Sequence, residues 1–174
     1  MHAGPEADAV ALFQAGKYPE AEAAFRAILA KNPRQANALH ALGVIAMQSP
    51  ERLDEAVDLL RRANKAEPGA FAILYNLGSA LRRTGRFTDA LTAFRRAVSL
   101  NMRSAEAHLG LANTLREMGD LKRARESLVA ALKVNSSLTA ETSLARTNPV
   151  DSTIPIYVSH KCFPHLLRSP PSDE

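Results

Sequence analysis

The sequence predicts an all-α fold, an α-α superhelix or solenoid of antiparallel helix pairs, followed by an irregular, proline-rich C-terminal tail. One segment recurs four times without gaps, starting at residues 16, 51, 85 and 119, at offsets of 35, 34 and 34 residues. Within and before these segments, apolar residues recur at three- and four-residue steps, which is typical of amphipathic helices. Five of the ten prolines follow residue 148, so the last part of the chain differs from the rest.

Each copy of the repeat carries two apolar residues at fixed places. An alanine is sixth and a large apolar residue follows four positions later. A second periodic segment, such as LYNLGSALR, precedes each of the last three copies. The unit is therefore helix, turn, helix. The recurring residues are Ala21, Ala56, Ala90 and Ala124, and Phe25, Leu60, Phe94 and Leu128.

The turns inside the helix pairs have their own signals. Gly16, Gly85 and Gly119 stand where a positive φ is often needed. The second turn has one extra residue around Pro50, and we expect a local bulge there and no break in the stack. Small residues on the first helices, Gly43, Gly78 and Ala112, should let those helices approach the second helices closely.

This pattern predicts two regions. Residues 1–147 form the repeat domain, with repeats at about 2–35, 36–70, 71–104 and 105–138, and a short capping helix over 139–147. Residues 148–174 are an irregular tail or linker, because their prolines exclude a continuous helix. Three interpretations of the tail stay open: an extended segment packed against the repeats, an internal ligand of the protein's own groove, or the start of a further domain.

Composition narrows the functional classes. A single cysteine rules out an internal disulfide framework, and the sequence shows neither a basic leader nor a long apolar run. We therefore expect a cytoplasmic protein that does not bind membranes. The net charge of +4 favours acidic partners. No aromatic residues alternate with the basic ones, so we expect no nucleic-acid binding.

Candidate chemical residues are few. His160, Cys162 and His165 are good zinc ligands by type, but three ligands within six residues, interrupted by Pro164, favour incidental residues in a tail. We interpret His108 as a packed structural histidine. No acid completes a metal site or a catalytic triad, and no phosphate loop is present. The sequence thus predicts a protein that is not an enzyme and binds neither metal nor cofactor.

The repeat resembles the tetratricopeptide repeat (TPR) family over about residues 5–138. That family's pattern is Leu-Gly-x-x-Tyr, then Ala-x-x-x-Phe, then Pro. Four copies in phase make the match specific, although Met102 and Ser136 replace the proline in the third and fourth copies. The pattern residues are Leu42, Gly43, Ala56, Leu60 and Pro68 in the second repeat, Leu77, Gly78, Leu81, Ala90 and Phe94 in the third, and Leu111, Ala112, Leu115, Ala124 and Leu128 in the fourth.

The resemblance implies a right-handed superhelix whose first helices line a concave groove that holds a partner peptide or helix. It implies that arginines there pair with carboxylates, that asparagines bond an extended backbone and that Tyr75 gives a rigid contact. The implied groove residues are Asn37, His40, Val44, Met47, Tyr75, Asn76, Ser79, Arg82, Arg83, Glu106, Leu109, Asn113 and Arg116.

Two TPR subtypes are not supported. The carboxylate clamp that binds chaperone C-termini would use His40, Val44, Asn76, Glu106 and Gly110, of which Asn76 alone fits and Glu106 has the wrong sign. The asparagine ladder of O-linked glycosyltransferases would need Asn at three positions. Here those positions read Ala41, Asn76 and Gly110.

A second basic feature lies on the second helices. Arg26, Arg61 and Arg95 occupy one equivalent position in successive repeats, with Arg62 and Arg96 beside two of them. Such a ridge is typical of a solvated convex face whose arginine stems cover apolar surface. An anionic docking surface is the alternative.

These observations favour a non-enzymatic protein-interaction scaffold or adaptor that binds a protein or peptide partner with some acidic character. One alternative is the substrate-recruiting region of a larger transferase whose catalytic domain is absent from this chain. Another is a scaffold that self-associates, with repeats stacking end to end.

Overall fold

A computed structural model describes residues 4–134 of the chain. Within them, eight α-helices follow one another and form four antiparallel pairs, with no β-strand in this range. The all-α solenoid predicted from the periodicity is confirmed. The helices are α1 (Pro5–Gln14), α2 (Tyr18–Lys31), α3 (Ala36–Ala46), α4 (Leu53–Ala66), α5 (Phe71–Arg83), α6 (Phe87–Leu100), α7 (Ala105–Glu117) and α8 (Leu121–Val134).

The predicted capping helix over 139–147 and the tail over 148–174 lie outside the described residues. So do His160, Cys162 and His165. The three interpretations of the tail and the assessment of its metal ligands therefore stay predictions.

Glycine ends the first helix of three pairs. Gly16, Gly85 and Gly119 have φ of +73°, +74° and +82°, as the turn positions predicted. At Gly85, the backbone N–H of Arg86 reaches back to the carbonyl of Leu81 at 2.8 Å. This left-handed turn gives hydrogen-bond partners to carbonyl groups at the end of the helix that would otherwise have none. It sends the chain into the second, antiparallel helix within a few residues.

The second pair closes differently. The residue after α3 lies in a turn, and a short 3₁₀ segment over Pro50–Arg52 leads into α4. The extra residue at this turn is thus accommodated locally, as predicted, and α4 still packs on both α3 and α5. Loops absorb an insertion of this kind at little free-energy cost.

The core runs continuously from the first pair into α7. The large residues at the repeated position, Phe25, Leu60 and Phe94, have no exposed surface. Each helix pair buries its apolar face against the next pair, because one pair alone cannot cover it. A smaller cluster of Leu91, Leu115 and Ala124 extends the core into the fourth pair.

Phe94 depends on two glycines. A Cβ atom on Gly78 of α5 would lie 3.0 Å from three atoms of the Phe94 ring. A Cβ atom on Gly110 of α7 would lie 2.7 Å from its Cζ. The ring of Tyr75 meets that of Phe94 edge to face at 5.8 Å. Gly78 and Gly110 therefore leave room for the side chain of Phe94 between α5 and α7.

Candidate functional site

The thirteen residues implied to line a groove lie on α3, α5 and α7, and we call them the inner row. Their exposure differs strongly along the stack. Glu106 is exposed, and Asn37, Arg83, Leu109, Asn113 and Arg116 are partly exposed. The other seven are buried. They are His40, Val44, Met47, Tyr75, Asn76, Ser79 and Arg82.

The middle of the inner row contains a buried hydrogen bond between repeats. Nδ2 of Asn76 lies 2.8 Å from Nε2 of His40. Since the amide nitrogen donates, the ring nitrogen must accept, so the imidazole is neutral with its proton on Nδ1. Burial lowers the pKa of His40 to about 4, which agrees with a neutral ring. This bond fastens α3 to α5.

Two of the three inner arginines have partners within the chain. Arg82 is buried and forms an ion pair with Glu117, so it joins α5 to α7. Nη1 of Arg83 donates to the backbone carbonyl of Met47 at 2.6 Å, at the C-terminal end of α3. Burial lowers the pKa of Arg83, and the positive charge of Arg82 lowers it further. Both side chains link adjacent repeats.

The α7 part of the inner row is different. Oδ1 of Asn113 and Nε of Arg116 are buried atoms that make no hydrogen bond. Among the described residues, Arg116 also has no ion pair. Leu109, one turn before Asn113, is partly exposed. This face of α7 therefore combines an apolar side chain with unused polar atoms.

Sequence profiles of the tetratricopeptide repeat match residues 7–70 and 51–105, and a second profile of the same repeat matches residues 81–137. Together they span well over half of the chain. The protein belongs to the tetratricopeptide repeat family. Tetratricopeptide repeats are typically non-catalytic, and their presence supports a general role in protein interactions.

Solved structures of MamA resemble this TPR fold. An AMB-1 MamA structure is 26% identical, covers 74% of this chain and 75% of its own, and superposes with a TM-score of 0.67. An MSR-1 MamA structure is 25% identical, with 74% and 73% covered and a TM-score of 0.65. MamA from Desulfovibrio magneticus RS-1, 22% identical with 75% and 73% covered and a TM-score of 0.68, shows likeness of fold alone. No curated protein sequence matches the chain.

In the described part of this TPR chain, no group of three or more His, Cys, Asp and Glu residues could hold a metal ion. His108 is partly exposed, and its Nε2 lies 3.2 Å from the carbonyl oxygen of Met102. None of the described helices is long and apolar enough to cross a membrane.

The outer arginines of the TPR domain make contacts between repeats. Nη2 of Arg61 lies 2.8 Å from Oδ2 of Asp89, and Nη2 of Arg26 lies 3.5 Å from Oε1 of Glu55. Both contacts join one second helix to the next. At these two positions the arginines form contacts between repeats, and Arg26 also pairs with Glu22 on its own helix at 2.6 Å. All three arginines of the ridge are exposed.

Repeat spacing could not predict three features: two acidic hydrogen-bond acceptors and a cavity with a mainly apolar lining. Glu6 on α1 accepts from Gln35 at 2.7 Å and from Asn37 at 3.1 Å, so Asn37 of the inner row is tied to the first helix. Beside them, a cavity of about 690 Å³ lies between the start of α1 and the end of α2, against Ala24 and Ile28. The acceptor Glu117 is the third feature. No local motif marks any of them, since each depends on residues from different helices.

Proposed function

We propose that this TPR chain is a protein-interaction scaffold that binds an acidic segment of a partner along the α7 part of the inner row. The observation that carries the proposal is that Arg116 is partly exposed and makes neither an ion pair nor a hydrogen bond within the described residues. A partly exposed arginine without an internal partner can form charge-assisted hydrogen bonds with a carboxylate.

The charge of the neighbouring residues supports an acidic partner. Arg82 on α5 reaches α7, whereas the guanidinium of Arg83 lies at the end of α3. Arg82 and Arg116 therefore bring two positive charges to this end of the row. Glu117 neutralises one of them. Arg116 has no such acid among the described residues, so a carboxylate of the partner would meet an uncompensated guanidinium.

The apolar and amide groups support an extended peptide. Leu109 offers a partly exposed apolar contact one helical turn from Asn113. Asn113 is partly exposed, and its amide can bond a backbone group of the partner. A segment with an apolar side chain for Leu109 and a carboxylate for Arg116, about two helical turns apart, would meet both residues.

Arg116→Glu is the most direct test, because it reverses the one inner arginine that has neither an ion pair nor a hydrogen bond within the described residues. Proteins captured from a cell extract are compared by quantitative mass spectrometry for the wild type and the variant. We expect at least one captured protein to be lost from Arg116→Glu, and its purified form to bind about tenfold or more weakly.

Arg34→Glu is the matched control. Arg34 is exposed, and its substitution gives the same change in net charge at the turn between α2 and α3. Thermal unfolding checks that both variants are folded. The proposal fails if the folded Arg116→Glu protein captures the same partners as the wild type and Arg34→Glu.

We also propose self-association through the C-terminal end of the stack as a second candidate. Seven large apolar residues of the described range are exposed, and six of them lie in the last two repeats. Exposed apolar surface concentrated at one end favours stacking on another copy. The six are Leu100, Met102, Met118, Leu121, Val129 and Val134.

Light scattering distinguishes this candidate from the first. Self-association predicts a molar mass that rises with protein concentration and falls to the monomer value in Leu121→Lys/Val129→Lys. A constant monomer mass at all concentrations would contradict it. The remaining alternative, a recruiting region of a larger transferase, concerns sequence outside the described residues and stays a prediction.

A further inference from the structure

The second helices carry a regular series of charge pairs that reverses in the last repeat. One position in successive repeats reads Arg26, Arg61 and Arg95, and another reads Glu20, Glu55, Asp89 and Arg123. The arginine at the first position of one repeat faces the residue at the second position of the next repeat. In the first two cases it meets an acid, as the contacts of Arg26 with Glu55 and of Arg61 with Asp89 show.

Repeat equivalence places two like charges at the third interface, Arg95 of α6 and Arg123 of α8. Arg95 makes no ion pair within the described residues, and Arg123 contacts Asp120, three residues before it in the chain, at 3.5 Å. Both side chains are exposed, and neither forms a buried ion pair.

The surrounding residues extend this positive surface. Arg96 and Lys122 are exposed neighbours of Arg95 and Arg123 in the sequence. Residues 95–134 contain eight Lys and Arg against four Asp and Glu, whereas residues 4–94 contain eleven against ten. The charge of the described chain is therefore concentrated in its last part. We call Arg95, Arg96, Lys122 and Arg123 the outer basic patch.

We propose that the outer basic patch, formed by α6 and α8, binds a segment of a partner protein rich in Asp and Glu. Carboxylates would supply at this interface the negative charge that Glu55 and Asp89 supply at the two preceding ones. The patch lies on second helices, whereas the inner row lies on first helices. The inference is therefore independent of the groove and needs no contribution from Arg116.

The structure favours an acidic protein over a nucleic acid. Binding to single strands normally combines basic side chains with aromatic ones on which bases stack. Among the described residues, Tyr18 is the one exposed aromatic side chain, and it lies in the first pair of helices. The outer basic patch thus provides charge without a stacking surface.

Arg123→Asp tests the patch and restores the regular charge series at the same time. The new carboxylate would face Arg95 as Asp89 faces Arg61. It would also stand in the first turn of α8, where a negative charge is favourable, so the variant should fold. Arg34→Asp, an equal change of charge at a distant exposed site, is the control.

The probe is a short fluorescent oligoglutamate peptide, and binding is followed by anisotropy at low and physiological ionic strength. We expect the wild type and Arg34→Asp to bind it with similar affinity. Arg123→Asp should bind about tenfold more weakly, because the substitution removes one positive charge from the patch and adds one negative charge. The affinity should fall as salt is added, since the patch is exposed.

Three results would overturn the proposal. In the first, the peptide does not bind the wild type, or binds folded Arg123→Asp equally well. In the second, a single-stranded oligonucleotide of matched charge binds the patch more tightly than oligoglutamate. In the third, light scattering detects a wild-type dimer that Arg123→Asp dissociates, which would make a second copy of this chain the occupant. Thermal unfolding and circular dichroism confirm that each variant is folded.

Discussion

Nε2 of His40 on α3 accepts a hydrogen bond of 2.8 Å from Nδ2 of Asn76 on α5, inside the stack. Protonation of the ring would put an N–H group on Nε2 of His40. Two donors would then face each other, and the hydrogen bond would be lost. The bond between the two repeats therefore requires a neutral histidine, and it makes the fold sensitive to acid.

We expect the free energy of unfolding to fall as the pH drops from about 6.5 to about 4. The folded protein holds the pKa of His40 near 4, below its ordinary value of 6.5, so the unfolded chain binds more protons in this window. The contribution of His40 to the free energy of unfolding is complete above about pH 6.5 and is lost by about pH 4. The largest effect is about 3 kcal/mol.

Urea unfolding at a series of pH values measures this effect. His40→Gln is the reference variant, because an amide can accept from Asn76 but does not titrate in this range. The difference between the two proteins removes the contribution of carboxyl groups such as Glu55, whose pKa is lowered chiefly by its hydrogen bond to Arg52. Equal pH dependence of the two proteins would contradict the assignment.

Gly110→Ala should destabilise the fold by about 1–3 kcal/mol. The added methyl group would meet the ring of Phe94, whose Cζ lies 2.7 Å from the Cβ position. The ring is completely buried and cannot move aside freely. Gly110→Ala should be less damaging in a Phe94→Leu background, where the smaller side chain leaves room. Additive effects of the two substitutions would rule out this clash as the cause.

Gly85→Ala should cost about 1 kcal/mol for a different reason. A Cβ atom there would have no neighbour within 4 Å, but φ is +74°, which side chains rarely adopt. The penalty is therefore one of backbone conformation. Gly85→Asn should be milder, since asparagine tolerates this region better. Denaturant unfolding of both variants checks the order, and an alanine variant as stable as the wild type would disprove it.

Arg52→Ala should weaken the attachment of the first pair of helices, α1 and α2, to the second repeat. Arg52 reaches Glu22 on α2 at 2.6 Å and Glu55 on α4 at 2.8 Å, and so links the first repeat to the second. The glutamate of α2 is mostly buried, with 13% of its side chain exposed. Loss of these bonds should destabilise the protein by about 1 kcal/mol. Amide hydrogen exchange should rise most in α1 and α2.

Arg61→Ala is the control for this prediction. Its ion pair with Asp89 also joins two repeats, but about half of each side chain is exposed. An exposed pair of this kind contributes roughly 0.5 kcal/mol or less. If Arg61→Ala proves as destabilising as Arg52→Ala, partial burial of Glu22 is not what strengthens the Arg52 network.

Much of the architecture could be predicted from residue sizes. Ala90 and Phe94 recur at fixed offsets, and the structure buries both completely. Positive φ at Gly85 followed from its place in the repeat. These features could be predicted because stacking imposes the same steric requirement in every repeat. Residues of the same size therefore recur at the same position of each repeat.

The inner arginines could not be sorted in this way. Arg82, Arg83 and Arg116 look alike in the sequence, yet Arg82 is paired with Glu117, and Arg83 binds the carbonyl of Met47. Both partners lie about one repeat away in the chain. Because the contacts of these inner arginines, unlike those of Arg26 and Arg61, do not recur with the repeat, spacing alone carries no information about them.

The sequence by itself determined the scaffold of this protein: helix pairs, turns and a stacked core. The tertiary structure decided which polar side chains are used within the fold. It left Asn113 and Arg116 with unbonded atoms on α7, and it joined Arg82 to Glu117 and Arg83 to the carbonyl of Met47. The physical reason is that apolar packing follows local periodicity, whereas the pairing of charges depends on which side chains neighbouring repeats bring together.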